Sequence, residues 1–123
     1  MARRHEVFAG LQNGGLLDAD DYGQVTGHQL FEGLDDPDET LCAAFALGYP
    51  CAGGYEAGFT LATYRLGAGA FVLNTLRLVE HLDVHPAADR LVLNLVRYAE
   101  GKLPRELQPL SAAFEKRLAR LVR

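Results

Sequence analysis

The hydrophobic residues of this chain follow different patterns along its length. Residues 3–39 show no sustained period, and glycines separate their short apolar pairs, which predicts a long loop region anchored on a core. Residues 41–47 and 59–76 are rich in apolar, β-branched and aromatic side chains, which favours strands. Residues 86–101 and 110–122 carry apolar side chains at helical spacing, which favours helices.

The central segment predicts a sheet of about three strands. Residues 41–47 are apolar at successive positions, as in a strand of a parallel sheet that is covered on both faces. Residues 59–66 and 71–76 flank a short segment that contains Gly67 and Gly69, and two strands around a glycine turn predict a β-hairpin. We therefore expect a small mixed sheet.

Two helices are predicted to follow this sheet. Pro86 marks the start of the first, because a missing N–H costs nothing in the first turn, and Gly101 is expected to end it. The second is amphipathic over residues 110–122. The expected fold is therefore one α/β domain with three parts: a loop region packed on the domain (1–39), a strand, hairpin and helix core (40–101), and a C-terminal amphipathic helix (102–123).

Composition and charge narrow the class of protein. The chain has 123 residues, 49% of them hydrophobic, and a formal net charge of −4, which is typical of one globular domain and not of a disordered chain. No apolar run reaches the roughly 18 residues of a membrane span. The charge balance is −8 over residues 1–85 and +4 over residues 86–123. Nucleic-acid binding by the whole domain is not expected, since it needs a clustered basic face.

Cys51 and His85 are weak candidates for catalysis. A nucleophile elbow places its thiol in Gly-x-Cys-x-Gly between a strand and a helix, but Cys51 follows Gly48 by three positions and precedes a predicted hairpin. His85 precedes a helix at the end of a sheet, where α/β folds place catalytic groups. However, Ala87 offers this histidine no orienting carboxylate.

The cysteine count bears on the compartment. Two cysteines are present, too few for a disulfide framework, and Cys42, within an apolar strand, is best explained as a small buried hydrophobe. A reducing, cytoplasmic setting is therefore expected, with a secreted or periplasmic parent enzyme left open.

An acidic stretch in the loop region partly matches a calcium-binding loop. Asp18, Asp20 and Gly23 fit its first, third and sixth positions, but Tyr22 stands at the fifth and Gln29 replaces the bidentate glutamate at the twelfth. Because that glutamate is the dominant ligand, no metal is expected here, and no motif indicates another cofactor.

The segment of residues 14–33 is a candidate for recognition. It is long, contains no predicted helix or strand, and mixes polar with aromatic side chains, and loops held on a rigid scaffold often carry binding. Asp20, Tyr22 and His28 are its candidate ligand-binding residues. The alternative is that the segment only covers the sheet.

Four stretches of the chain together carry a family resemblance: residues 8–11, 14–23, 64–77 and 85–98. They resemble the C-terminal half of the glutamine-amidotransferase-like domain that is appended to bacterial glycoside hydrolases of the β-galactosidase and β-glucuronidase type. The resemblance covers residues 3–101. It implies a flavodoxin-like α/β fold in which the hairpin and the first helix close one edge of a mostly parallel sheet.

The same resemblance implies that the domain is not catalytic. In class I glutamine amidotransferases a His-Pro-Glu motif supplies the catalytic base and its orienting carboxylate, at the place where His85, Pro86 and Ala87 stand here. The glutamate is missing, and the nucleophilic cysteine of the family would lie upstream of the chain's start. The appended domains are generally taken as non-catalytic, helping assembly or placing a loop near the glycosidase site.

The expected function is a non-catalytic, amidotransferase-like accessory or assembly module of a carbohydrate-active glycoside hydrolase, whose catalytic domain or subunit is the partner. Two alternatives remain: a degenerate hydrolase or amidotransferase that uses Cys51 and His85, and a small-ligand or sugar-binding module that uses the segment 14–33. A homo-oligomer is also expected, because the strands missing relative to the family would leave an unpaired sheet edge. Neither nucleic acid nor a membrane is an expected partner.

Overall fold

The computed structural model describes residues 1–17, 19–48, 52–66 and 69–102, together with Ala112 and Lys116. The predicted helix over residues 110–122 lies outside the described residues. The described part forms a small α/β protein with these elements in chain order: a 3-10 turn (Glu6–Phe8), α1 (Ala19–Tyr22), β1 (Glu39–Leu47), a 3-10 turn (Ala52–Gly54), β2 (Tyr55–Leu66), β3 (Gly69–Asn74), a 3-10 turn (Val79–His81) and α2 (Pro86–Lys102).

The three strands form one sheet in the order β1-β2-β3. β2 and β3 are the predicted hairpin, and β1 pairs with β2 so that Ala43 lies opposite Phe59. The prediction of a mixed sheet is wrong for the described residues, in which both strand pairings are antiparallel. The connection from Leu47 to Tyr55 is too short for a parallel crossover, which needs a dozen or more residues, so β1 must turn back directly into β2.

The main core lies between α2 and one face of the sheet, here called the helix face. Leu61 of β2 and Leu91 of α2 are fully buried in one apolar cluster, and Val72 of β3 packs against it. α2 begins at Pro86 as predicted but continues past Gly101 to Lys102. Helix ends are the least determined part of such a prediction, because the last turn frays.

β1 is buried only where it meets this core. The β1–β2 register shifts on both sides of Cys42, and Leu41 and Cys42 are both buried there. Beyond this irregularity Phe45 and Leu47 are 61% and 73% exposed. The prediction that the whole strand is covered on both faces is therefore wrong for its C-terminal half.

The loop region supplies the outer edges of the sheet. At β1, the Arg3 amide donates to Leu41 O at 2.9 Å and the Ala43 amide donates to Met1 O at 2.8 Å. At β2, Phe31 and Phe59 exchange two backbone hydrogen bonds of 2.8 and 2.9 Å, in line with the end of β3. The loop region therefore extends the three-stranded sheet on both sides.

Candidate functional site

His85 lies at the start of α2, where its main chain caps the helix. Its carbonyl accepts hydrogen bonds from the amides of Ala88 at 2.9 Å and Asp89 at 3.3 Å. The Asp89 carboxylate accepts from the Asp83 amide at 2.9 Å, so it holds the preceding turn. The ring Nδ1 of His85 is buried and has no hydrogen-bond partner among the described residues. No described carboxylate therefore orients this imidazole through Nδ1.

A second histidine stands beside it. The rings of His81 and His85 are 6.4 Å apart between centroids and meet edge to face, and Nε2 of His81 is also buried without a described partner. Zinc sites in proteins use three or four protein ligands, and the described residues contain no group of three or more His, Cys, Asp or Glu side chains that could hold a metal. The pair thus does not form a metal centre within the described part of the chain.

Of the two cysteines, Cys42 lies within the described residues. Cys42 is a free thiol buried in the core at 2% exposure, as predicted for a small hydrophobe. Cys51, the candidate nucleophile, lies outside the described residues, so its geometry relative to His85 stays untested.

A cluster around Glu39 ties three parts of the molecule together. Its carboxylate accepts from the Tyr98 hydroxyl at 2.7 Å and lies 3.4 Å from Nε2 of His5 and 3.3 Å from Arg3. Nδ1 of His5 accepts from the Val7 amide at 3.2 Å, so this imidazole is not free to act as a general base. The cluster is a clamp that joins the N-terminal segment, β1 and α2.

Tyr64 lies where burial and nearby carboxylates act on its phenol. Its hydroxyl donates to Asp35 O at 2.9 Å, and its ring stacks on Phe71 at 5.5 Å between centroids. Burial, followed by the negative charges of Asp35 and Asp36, raises the pKa of Tyr64 above its usual value of 10.0. The phenol therefore stays a neutral donor that holds Asp35 against the sheet.

The candidate ligand-binding residues of the segment 14–33 do not face one site. Tyr22 is fully buried, and its hydroxyl donates to Gln12 O at 2.6 Å, so a ligand could reach it only if the segment moved. Tyr22 thus anchors the loop in the core, and its role in ligand binding stays a prediction. Asp20, in α1, and His28 are both exposed. Ligand binding by these two stays a prediction.

His28 does border a shallow cleft. The cleft has a volume of about 390 Å³, and Ala46 and Glu56 of the β1–β2 pair line one side of it. The rest of its lining comes from the segment that pairs with β2 and from the end of β3: His28, Gln29, Leu30, Phe31, Glu32, Asn74 and Thr75.

The end of the β1–β2 hairpin, here called the hairpin tip (residues 44–47 and 55–57), carries exposed apolar side chains. Phe45, Leu47 and Tyr55 form an apolar patch on it, with exposures of 61%, 73% and 61%. The rings of Phe45 and Tyr55 lie 5.8 Å apart. By the alternation of side chains along a strand, the patch continues the helix face beyond the part that α2 covers.

A groove of about 810 Å³ runs along this patch. Aromatic and aliphatic side chains from the sheet and the loop region dominate its lining: Met1, Leu16, Phe31, Leu34, Phe45 and Phe59. Sequence reasoning assigned β1 to a doubly covered strand and so missed this surface. An available signal was the short connection after Leu47, which confines β1 to a hairpin.

Comparison of the chain with models of protein families, with curated proteins and with solved structures finds no match. The resemblance to the amidotransferase-like domain therefore depends on the sequence stretches alone. Among the described residues, no helix combines the length and apolar character needed to cross a membrane.

Proposed function

We propose that this chain is a non-catalytic assembly module that binds a carbohydrate-active glycoside hydrolase through the apolar patch of the hairpin tip. The observation that carries the proposal is the exposure of Phe45, Leu47 and Tyr55 on one face. A contiguous apolar surface rimmed by polar residues is typical of protein-binding sites, and aromatic side chains are enriched at the centres of interfaces.

The choice of partner comes from the family resemblance. Domains of this amidotransferase-like type, with a flavodoxin-like fold, accompany bacterial glycoside hydrolases, and the stretches that carry the resemblance include the end of β2, all of β3 and most of α2. The departure from the catalytic motif at Ala87, which is buried in the helix, supports binding in preference to catalysis.

The test of this proposal is complex formation with a purified glycoside hydrolase whose reading frame adjoins or continues that of this chain. The variants Phe45→Asp and Tyr55→Asp should weaken the complex at least tenfold by calorimetry, because each places a charge in the apolar patch. Val84→Asp is the matched control, since Val84 is 75% exposed but lies before α2. Equal weakening by all three variants, or no binding by the unmodified chain, would contradict the proposal.

Activity assays test the proposal that the chain is non-catalytic. Glutaminase and glycosidase assays of the full chain should give rates no higher than those of the Cys51→Ala and His85→Ala variants. Ammonia release from glutamine that falls more than tenfold in Cys51→Ala would instead support the degenerate amidotransferase.

A small-ligand function is the second candidate, and the cleft beside His28 favours it. Imidazole, amide and carboxylate groups of His28, Gln29 and Glu56 border that cleft and could hydrogen-bond a polar ligand such as a sugar. Titration of the chain with a panel of monosaccharides, followed by NMR, should shift the His28 ring resonances if this candidate is correct, and His28→Ala should abolish the shifts of neighbouring signals.

A further inference from the structure

The outer edge of β1 has unpaired backbone groups at the hairpin tip. The amide and the carbonyl of Ala43 both bond to Met1, at 2.8 and 2.6 Å, so both point away from β2. Backbone groups alternate in direction along an antiparallel strand, and those of Phe45 and Leu47 therefore point the same way. Within the described part of the chain nothing bonds to them on that side.

This edge lacks the usual protection against pairing with another chain. Natural sheet edges carry charged side chains, prolines or bulges that prevent such pairing, whereas residues 44–47 contain no charged residue and no proline, and the register shifts of β1 end before them, at Ala43. Met1 closes the edge on one side of the open stretch. On the other side the Gly48 amide donates to Gly54 O at 3.3 Å as the chain turns. The open stretch is therefore residues 44–47.

We propose that two copies of this chain pair antiparallel through residues 44–47 of β1 and form one continuous six-stranded sheet. The two-fold axis passes between the Ala46 residues of the two copies. Phe45 of each copy then exchanges both backbone hydrogen bonds with Leu47 of the other, and the two Ala46 methyl groups meet without a clash. The interface is isologous, as in most homodimers.

The other edge of the hairpin tip is a poorer site for the same pairing. Phe59 bonds to Phe31 on the side away from β1, so by alternation the outward groups of β2 at the tip belong to Tyr55 and Ala57. A two-fold axis between them would place Glu56 opposite Glu56 of the second copy. Like charges directly opposite each other destabilise a strand pair, so β1 is the edge that pairs.

The dimer deepens the proposed function, on which its biological role rests. Edge pairing leaves the helix face uncovered, and the two apolar patches become one surface that contains Phe45, Leu47 and Tyr55 from both copies. A hydrolase would then bind a platform twice as large as one hairpin tip offers. Because only a short stretch of strand pairs, the dissociation constant of the dimer is expected to be on the order of 10 μM.

The test introduces a negative charge at Ala46 in one variant and a positive charge there in another. Sedimentation velocity of the full chain at about ten times that dissociation constant should give an average mass that approaches twice the 13.4 kDa of one chain. Ala46→Glu and Ala46→Lys should each sediment as a monomer, because like charges then face each other across the axis. An equimolar mixture of the two variants should restore the dimer. Val84→Glu, at an exposed site outside β1, should leave the dimer unchanged.

Melting temperatures of the two Ala46 variants show whether each variant remains folded. Ala46 lies opposite Glu56 in the β1–β2 pair, so a lysine at position 46 gains an opposite charge within its own chain and should remain folded. A monomeric unmodified chain, a dimeric Ala46→Lys variant, or a mixture that stays monomeric would each overturn the pairing.

The hydrolase experiment separates the two proposals. A folded, monomeric Ala46→Lys variant that still binds the hydrolase refutes the need for the dimer and leaves the assembly function intact. Loss of hydrolase binding in the unmodified dimer refutes the assembly function and leaves the dimer intact.

Discussion

Asn94 shows how one buried polar side chain fixes the loop region to the helix. Its amide group donates to Val7 O at 2.9 Å and to Ala9 O at 3.0 Å, and both carbonyls belong to the turn that places Val7 and Phe8 in the core. Asn94→Ala leaves these acceptors without their donor, and an unsatisfied buried polar group costs about 1–3 kcal/mol. We expect a loss of about 2 kcal/mol in the free energy of unfolding, measured by urea denaturation.

Leu93→Ala provides the matched control on the same helix, because the Leu93 side chain is half exposed. It should change the free energy of unfolding by no more than about 0.5 kcal/mol. If both variants lose equal stability, the effect belongs to helix propensity or to general packing and not to the hydrogen bonds of Asn94.

At the scale of the elements, the packing of the loop region on β2 depends on a glycine. A Cβ added to Gly58 would collide with Phe31 O and with the Leu30 side chain, and a backbone atom cannot move aside as a flexible side chain can. Gly58→Ala should therefore displace this segment and cost about 1–3 kcal/mol. Hydrogen exchange should locate the loss at the backbone bonds between Phe31 and Phe59, whose amides we expect to be protected in the unmodified chain.

Gly101→Ala is the matched control, at a glycine where an added Cβ has room. Among the described residues, no atom outside the helix's own backbone lies within 4 Å of a Cβ added to Gly101, which belongs to the last turn of α2, and alanine in a helix is favoured over glycine by roughly 0.5–1 kcal/mol. The two substitutions should thus have opposite signs, and a stabilising Gly58→Ala would contradict the close approach.

The elements that the sequence predicts well are those whose signals are local. The β2–β3 hairpin follows from two β-rich runs around glycines, and the start of α2 follows from Pro86 and its helical period. The pairing of Ala43 with Met1 and of Phe31 with Phe59 joins residues distant in sequence, and neither segment has a strand pattern of its own. The parallel assignment of β1 failed because an apolar run does not reveal what covers each face.

The candidate site was predictable in the same uneven way. The helix-start position of His85 and the surface exposure of Asp20 and His28 agree with sequence reasoning. Tyr22 differs, because an aromatic residue in a polar loop serves equally well as a ligand contact or as an anchor, and only the surrounding core decides. The sequence did not predict the apolar patch for a related reason: its residues have the composition of a buried strand.

At the scale of the whole molecule, the N-terminal residues limit how much of β1 is open. Met1 and Arg3 bond to the strand through its outward groups at Ala43 and Leu41.

A variant in which a new initiator Met directly precedes Arg4 places that Met at the position of Arg3, so pairing at Ala43 is lost and the open edge of β1 lengthens. Open strand edges template association, and a longer two-fold pairing adds backbone hydrogen bonds, so we expect this variant to dimerise at lower concentrations than the unmodified chain, as measured by light scattering. Arg3→Ala is the control, because it keeps the backbone pairing and removes only an ion pair of 3.3 Å whose arginine is largely exposed; such pairs contribute at most about 1 kcal/mol. Equally tight dimers of Arg3→Ala would assign the effect to the lost charge, whereas tighter dimers of the shortened variant alone would show that the N-terminal pairing limits how much of β1 takes part in the dimer.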